Sequence, residues 1–207
     1  MNKKDLLIKL HGYVASDGGI YSMKVKDMHG KKIRIRRRLR TKFFNKNDVL
    51  INDFLDTFNI IYPNIKSIRY YKKRIEIEIR NHTVSKEILS LGKVWSRNWE
   101  IPKNITNNQK RLWVRAFADG EGTVYNKNHN RYVAIDSINL NGLKEISTIL
   151  QEWNIIHKIY GVKWNNYQSY RLRIYRKENL IKFNKLIGFT HPEKQQKLNE
   201  TIYSYKH

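Results

Sequence analysis

Two stretches of the chain decide its fold, because they resemble each other and lie about half a chain apart. Residues 10–21 read Leu-His-Gly-Tyr-Val-Ala-Ser-Asp-Gly-Gly-Ile-Tyr, and residues 114–125 read Val-Arg-Ala-Phe-Ala-Asp-Gly-Glu-Gly-Thr-Val-Tyr. At a separation of 104 residues Asp17 matches Glu121. Each stretch is a helix-like apolar segment that ends in an acidic residue and a glycine, followed by a strand-like segment. This repeat predicts two copies of one structural unit.

The hydrophobic periodicity after each stretch has the same order in both copies. In the first copy it predicts strands at 19–28 and 31–41, a helix capped by Asn47 or Asp48, strands at 65–71 and 74–80, and a helix at 83–91. In the second copy it predicts strands at 123–128 and 131–138, a helix at 141–153, strands at 157–163 and 169–175, and closing helices. We therefore predict an α+β fold of two pseudo-symmetric αββαββα halves, residues 1–95 and 107–207. Residues 96–106 form an extended linker, since Pro102 disfavours a helical predecessor.

The charge of the chain indicates a polyanionic partner. Its 207 residues include 41 Lys and Arg against 18 Asp and Glu, a net charge of +23, and nucleic acid is the usual ligand of such a protein. A membrane is not expected as a partner, because no apolar run of about 18 residues and no signal-like segment is present. Composition alone leaves ribosomal or nonspecific binding as an equal alternative. The absence of cysteine excludes disulfides, thiolate zinc sites and cysteine nucleophiles.

Arginine is concentrated on one face of each predicted sheet, because alternate residues of a strand point to opposite sides. Ile33, Ile35 and Leu39 alternate with arginines, and the later strands repeat this pattern. Since arginine binds phosphates and reads guanine with two hydrogen bonds, we expect these faces to contact DNA. The predicted DNA-contacting residues are Arg34, Arg36, Arg38, Arg40, Arg69, Lys72, Arg74, Glu76, Glu78, Arg80, Tyr125, Lys127, Arg131, Lys163, Arg171, Arg173 and Tyr175. Glu76 and Glu78 either accept from cytosine or pair with neighbouring arginines.

Asp17 and Glu121 are the candidate catalytic and metal-binding residues. Each ends a predicted helix, where the negative end of the helix dipole disfavours a carboxylate. If the two helices pack side by side, the carboxylates approach each other and favour a divalent cation such as Mg²⁺. Small residues would permit that packing, namely Gly12, Ala15, Ala116 and Ala118. An acid followed by glycine is an ordinary helix end in a single copy, and its repetition in two basic units favours the metal site.

Both stretches resemble the signature helices of the LAGLIDADG homing endonucleases, in the single-chain form with two motifs. The signature covers residues 10–18 and 114–122, and the second copy is the closer one, since Ala15 stands where an acid is common. Residues 99–102 and 187–194 also resemble segments of this family. The resemblance implies a monomer that forms a saddle of two antiparallel sheets on a long DNA duplex, around a central two-helix interface. It implies cleavage of both strands across the minor groove, with staggered ends.

The resemblance also implies the composition of the site. Asp17 and Glu121, with the adjoining Gly18 and Gly122, would bind Mg²⁺. Mn²⁺ would replace it, and Ca²⁺ would support binding without cleavage. Family members often place a lysine near each cleavage site. Lys46 matches one of these lysines, while Asn139 stands where the second is expected. Unequal cleavage of the two strands therefore stays open, as does replacement of the lysine by Lys158 or Lys163.

Two other functions are compatible with the sequence. An intron RNA maturase would use the same basic surface, and the missing second lysine favours it slightly. A DNA-binding regulator without cleavage would have no need of two juxtaposed acids. For the endonuclease we expect a cytoplasmic, nucleoid-associated location, or an organelle if the gene is organellar. An intron, an intein and a free-standing gene are all compatible with the sequence.

Overall fold

The chain folds into two consecutive halves with the same element order, described by a computed structural model over residues 1–29, 32–71, 73, 75–127, 130–164 and 167–205. The first half contains α1 (Lys3–Asp17), β1 (Gly18–His29), β2 (Lys32–Phe44), α2 (Asp48–Ile61), β3 (Ile68–Tyr71), β4 (Glu76–Ile79) and α3 (His82–Leu89). The second half contains α4 (Asn107–Glu121), β5 (Gly122–Lys127), β6 (Asn130–Ser137), α5 (Leu140–Glu152), β7 (His157–Trp164), β8 (Tyr167–Tyr175), α6 (Lys177–Leu186) and α7 (Pro192–Tyr203). The predicted order αββαββα is confirmed, and α7 is an additional helix of the second half.

The two long helices begin with the same hydrogen-bonded cap. Asn2 caps α1 and Thr106 caps α4, and each side chain accepts from the main-chain N–H of the third helical residue. That third residue, Asp5 or Gln109, accepts in return from the N–H of the cap. Such a capping box satisfies two N–H groups that a helix end leaves free. The local sequence therefore fixes where both helices start.

Each half is built on a four-stranded antiparallel sheet, with strand order β1-β2-β4-β3 in the first and β5-β6-β8-β7 in the second. The register pairs Tyr21 with Arg40 and Val25 with Arg36, so the alternating arginines of β2 share one face, as predicted. The opposite face is apolar but only partly covered, since Ile33 and Ile35 are each 64% exposed. The reason is that β4 pairs only with residues 41–44 of β2, and the β1–β2 hairpin extends beyond that pairing.

The segment between the halves is packed against the second half. Trp99 is 2% exposed, and its ring centroid lies 4.3 Å from that of Phe117 and 5.6 Å from that of Trp113. The indole N–H of Trp99 donates to Ser137 Oγ over 3.1 Å. The segment therefore carries part of the hydrophobic core. In the described ranges, every helix is too short or too polar to cross a lipid bilayer.

Candidate active site and nucleic-acid interface

The helices α1 and α4 lie side by side with their main chains in close contact. A Cβ atom added to Gly12 would lie 2.8 Å from the carbonyl oxygen of Trp113 and 3.1 Å from Cβ of Ala116. Near the helix starts, Gln109 Nε2 donates to Asp5 Oδ1 over 2.8 Å. Since Asp5 and Gln109 hold equivalent positions in the two capping boxes, the helices run in the same direction about a pseudo-twofold axis.

The ends of the two helices bring Asp17 and Glu121 together. One carboxylate oxygen of Asp17 lies 2.7 Å from the position that a Cβ atom on Gly120 would occupy. Gly120 directly precedes Glu121 in the chain, so Asp17 lies beside the end of α4. Burial raises the pKa of Glu121 to about 7, and the charges of Asp17 and Asp136 contribute to the same rise. Burial also raises the pKa of Asp17, although Asn45 and Lys194 oppose the rise. The two acids are thus half-buried neighbours whose charges repel.

Lys194, on the first turn of α7, is a residue of this site whose position the sequence did not indicate. Its ammonium group donates to the carbonyl oxygens of Asp119 (2.5 Å) and Gly120 (3.1 Å), at the negative end of α4. Burial lowers the pKa of Lys194, against the opposing charges of Asp119, Asp17 and Glu121. In the sequence, the one indication of a role for Lys194 was its place in the closing segment 187–194, which resembles a segment of the LAGLIDADG family. Only the docking of α7 shows which atoms it reaches.

Asp119 holds the start of α7 in place. Its Oδ1 accepts from the main-chain N–H of Thr190 (2.8 Å) and of His191 (3.0 Å), and the side chain is buried. Burial raises the pKa of Asp119 to about 6, although these hydrogen bonds oppose the rise. The equivalent position in the first copy is Ala15. Asp119 thus holds α7, the helix that carries Lys194, and the first half has no acid at the equivalent position.

The donor set at the helix ends fits a hard divalent cation. Carboxylate oxygens are the ligands such a cation prefers, and its charge would relieve the repulsion between Asp17 and Glu121. Within the described residues there is no group of three His, Cys, Asp or Glu arranged to hold a metal. Two carboxylates suffice where substrate phosphates and water complete the shell, as is usual for Mg²⁺. A side chain at Gly18 would collide with the carbonyl of Lys42, and one at Gly122 with that of Ala118.

The loop from β2 to α2 approaches Asp17. Asn45 Nδ2 donates to Asp17 Oδ2 over 2.8 Å, and Asn45 Oδ1 accepts from the N–H of Asn47 over 2.8 Å. Asn47 caps α2 through its side-chain oxygen. Lys46 lies between these two residues with an exposed side chain. The predicted lysine therefore stands in the loop that contacts the first carboxylate.

The equivalent loop of the second half corrects the prediction for Asn139. Asn139 caps α5 as Asn47 caps α2, and Ser137 Oγ accepts from its N–H over 3.1 Å. The amide of Asn139 is buried, accepts from the N–H of Gly142, and donates to the carbonyl of Trp99 over 2.7 Å. Asn139 is therefore the counterpart of Asn47, and Ile138 occupies the place of Lys46.

Comparison with known proteins shows what the second half is similar to. Residues 108–188 match the model of the LAGLIDADG-like domain. The homing endonuclease I-ApeI of Aeropyrum pernix is 29% identical over 107 residues, which are 50% of this chain and 47% of I-ApeI. The match thus spans about half the length of that relative.

Solved structures with the LAGLIDADG fold resemble the whole chain. I-DmoI in complex with DNA and Ca matches with a TM-score of 0.72 and 16% identity, over 97% of this chain and 100% of that one. Full-length DUF199/WhiA from Thermatoga maritima matches with a TM-score of 0.63 and 15% identity, over 100% of this chain and 62% of that one. The predicted family resemblance and the predicted two-sheet fold are confirmed.

The open face of the first sheet is less uniformly basic than predicted. Glu78 accepts from Arg40 Nη1 (3.0 Å) and from Arg80 Nε (2.6 Å), and Glu76 pairs with Lys42 over 2.7 Å. Both glutamates are buried. Burial alone would raise the pKa of Glu78, but its bonds to the two arginines bring it below the ordinary value. The glutamates are therefore paired within the protein, which corrects their assignment to base contacts. Arg34, Arg36, Arg38 and Arg69 are exposed.

Two predicted arginines of the second sheet are also engaged within the protein. Arg171 donates two hydrogen bonds to Asp136, over 2.6 and 2.9 Å. Arg131 donates to the hydroxyl (2.7 Å) and the carbonyl oxygen (3.1 Å) of Ser204, at the end of α7. Arg131 therefore binds the helix that packs behind the sheet, and its assignment to the DNA surface is corrected.

Two tyrosines and two lysines of the second sheet are also among the predicted contact residues. Tyr125 stacks on Tyr132 with ring centroids 4.9 Å apart, and Tyr175 lies opposite Tyr132 in the ladder. Lys127 and Lys163 are exposed near the hairpin ends. Lys72 and Arg74 lie outside the described residues.

Proposed function

We propose that the chain is a divalent-cation-dependent, site-specific DNA endonuclease that hydrolyses one phosphodiester in each strand across the minor groove of a long target. The observation that carries the proposal is the convergence of Asp17 and Glu121 at the ends of two parallel helices. The helices are related by a pseudo-twofold axis, and duplex DNA has a twofold axis of its own. One carboxylate can therefore serve each strand.

The two acids would hold the cation, with the main chain at Gly18 and Gly122 beside them. Their half-buried carboxylates would bind it strongly, because burial and mutual repulsion destabilise the cation-free charged state. When bound, a divalent cation would acidify a water and stabilise the leaving oxygen. Lys194 would limit the negative charge at the helix ends, and Lys46 would approach the substrate near Asp17.

The basic faces would bind the duplex. The exposed arginines of β2 lie on one face of a two-stranded ribbon, a shape that the major groove admits. The net charge of +23 would attract DNA and make its binding strongly salt-dependent. I-ApeI is named a homing endonuclease, and I-DmoI has been solved with DNA and Ca and with DNA and Mn. These relatives support a protein that binds DNA and uses divalent metal.

Selection by cleavage from a randomised duplex library tests the proposal. The wild-type protein with Mg²⁺ is expected to cut both strands at a discrete sequence, and with Ca²⁺ to bind that sequence without cutting. Asp17→Asn and Glu121→Gln are each expected to lower the cleavage rate about 100-fold or more, because each removes a ligand charge. Asp56→Asn is a matched control, since Asp56 is an exposed carboxylate on α2.

Three results would contradict parts of the proposal. Cleavage at the wild-type rate by Asp17→Asn would show that the site is wrongly assigned. Specific retention of DNA without cutting under any metal would indicate a binding protein on the same fold. Loss of all DNA preference, together with tight binding of structured RNA, would indicate a maturase.

A further inference from the structure

Arg173 differs from the other arginines of the second sheet in what surrounds it. Its guanidinium carbon lies 4.6 Å from the ring centroid of Tyr132 and 5.2 Å from that of Tyr160. The register explains both contacts. Arg173 lies opposite Ala134 on β6 and Lys158 on β7, so each tyrosine is a diagonal neighbour, within reach of a long side chain. Ala134 is small and leaves the space that the guanidinium occupies.

The guanidinium of Arg173 has no polar partner within the described part of the chain. Its Nε atom is buried without a hydrogen bond, and no described carboxylate pairs with it. Arg40, Arg80 and Arg171, by contrast, each bind an acid. Arg173 is thus held in position by aromatic contacts alone, which leave its terminal N–H groups to a ligand. Terminal donors that are fixed in position but unused within the protein point to an acceptor supplied from outside.

We propose that Arg173 recognises a guanine base of the duplex, through two hydrogen bonds from its terminal nitrogens to guanine O6 and N7. This inference rests on the proposed function. Guanine presents two acceptors on its major-groove edge, and the arginine fork matches their spacing. Because two rings already fix the guanidinium, less side-chain freedom is lost on binding than for an exposed arginine.

The position of Arg173 places this base close to the cleavage site. Gly122, which follows Glu121, pairs with Ile135 of β6, and Ile135 pairs with Leu172, the neighbour of Arg173. Strands in a sheet are about 4.8 Å apart, so Arg173 lies roughly 10 Å across the sheet from β5. The guanine is therefore expected within a few base pairs of the cut, on the side of the second half.

Binding selection from a randomised duplex library tests the inference, with Asp17→Asn as the parent protein so that DNA is bound and not cut. The parent is expected to select guanine at one position of the half-site beneath the second sheet. Arg173→Gln and Arg173→Lys are both expected to lose that preference, about 10- to 100-fold, and to keep the rest of the consensus. Lysine retains the charge but lacks the fork, so this variant separates base recognition from phosphate binding.

Two further variants keep the result interpretable. Lys163→Gln removes an exposed charge from the same sheet, and it is expected to weaken binding evenly across sequences and to lower the salt slope by about 1. Tyr160→Ala removes one ring while keeping Arg173, and it is expected to weaken the guanine preference without changing the preferred base. Thermal melting of each variant checks that the fold is retained.

The outcomes separate this inference from the function on which it rests. A consensus that keeps its guanine in both Arg173 variants would overturn the inference and leave the endonuclease proposal standing. Retention of guanine in Arg173→Lys, with even weakening in Arg173→Gln, would make Arg173 a phosphate contact. No consensus with the parent protein would overturn the proposed function and this inference with it.

Discussion

His11 is a buried residue in the interface between the two halves, and its hydrogen bonds require the neutral imidazole. Its Nδ1 accepts from the indole N–H of Trp113 over 2.9 Å, since that group can only donate. Its Nε2 therefore carries the proton and donates to the carbonyl of Gly92 over 3.0 Å. Burial lowers the pKa of His11 to about 4, although the bond to Gly92 opposes this.

This lowered pKa predicts a loss of stability in acid. An unfolded histidine takes up a proton near pH 6.5, whereas folded His11 resists it to about pH 4, so stability falls as the pH drops through that window. The shift corresponds to about 3 kcal/mol at a fully buried site. Urea unfolding at pH 7.5 and pH 4.5 measures it, and the difference in unfolding free energy should be smaller in His11→Gln by roughly that amount. A pH difference in His11→Gln equal to that of the wild-type protein would contradict the assignment.

The repeat predicted the two central acids but not their neighbours. Asp17 and Glu121 follow from a constant separation of 104 residues. Lys46 was matched with Asn139, one residue too far along, because the loop from β2 to α2 is one residue longer than the loop from β6 to α5. The true equivalence of Asn47 and Asn139 is set by their capping hydrogen bonds. Such bonds are visible only in three dimensions.

At the level of the elements, the packing of α1 on α4 depends on a residue without a side chain. Gly12→Val is expected to lower the free energy of unfolding by about 1–3 kcal/mol, because its Cβ would lie 2.8 Å from the main-chain oxygen of Trp113. Urea denaturation measures the loss. Gly161→Val is the control, since a Cβ there meets only the end of the Gln168 side chain at 3.0 Å, and a change within about 0.5 kcal/mol is expected. Equal effects of the two substitutions would argue against the close helix contact.

For the strands, the alternation of apolar and charged residues predicted the face on which each side chain lies. It did not predict which residues that side chain contacts. The arginines of β2 share one face as expected, yet Arg40 is bound to Glu78 across the sheet. The cross-strand partner depends on register, which a single sequence does not specify. Ile33 and Ile35 alternate with those arginines and lie on the other face, yet they are exposed. The alternation of residues shows which side of a strand is apolar. Whether that side is buried depends on how far the neighbouring strands and helices extend along it.

For the whole molecule, the two halves give Asp17 and Glu121 unequal surroundings. Lys46 and Asn45 lie in the loop beside Asp17, whereas Ile138 takes the place of Lys46 in the second half. If the chain is an endonuclease, a supercoiled plasmid carrying the target should pass through a nicked circle before it becomes linear. Ile138→Lys should speed the slower cut on the order of 10-fold, less than the effect of a direct transition-state donor.

Gel analysis of the cleavage time course tests this asymmetry. Ile138→Leu is the matched control, because it keeps the apolar character and should leave the nicked intermediate unchanged. Simultaneous cutting by the wild-type protein would contradict the expected difference between the halves. A nicked circle that persists equally in Ile138→Lys would show that another feature limits the slower cut.

The contact between α1 and α4 has a consequence for the evolution of the protein. Two first halves brought together would set Asp5 against Asp5, and His11 would face Lys9, the counterpart of Trp113 in the repeat. The duplicated copies have thus become complementary and no longer self-compatible. A substitution at one of these contact positions would therefore need a matching substitution in the other half to keep the hydrogen bond. The two halves are therefore expected to vary together in sequence at this interface.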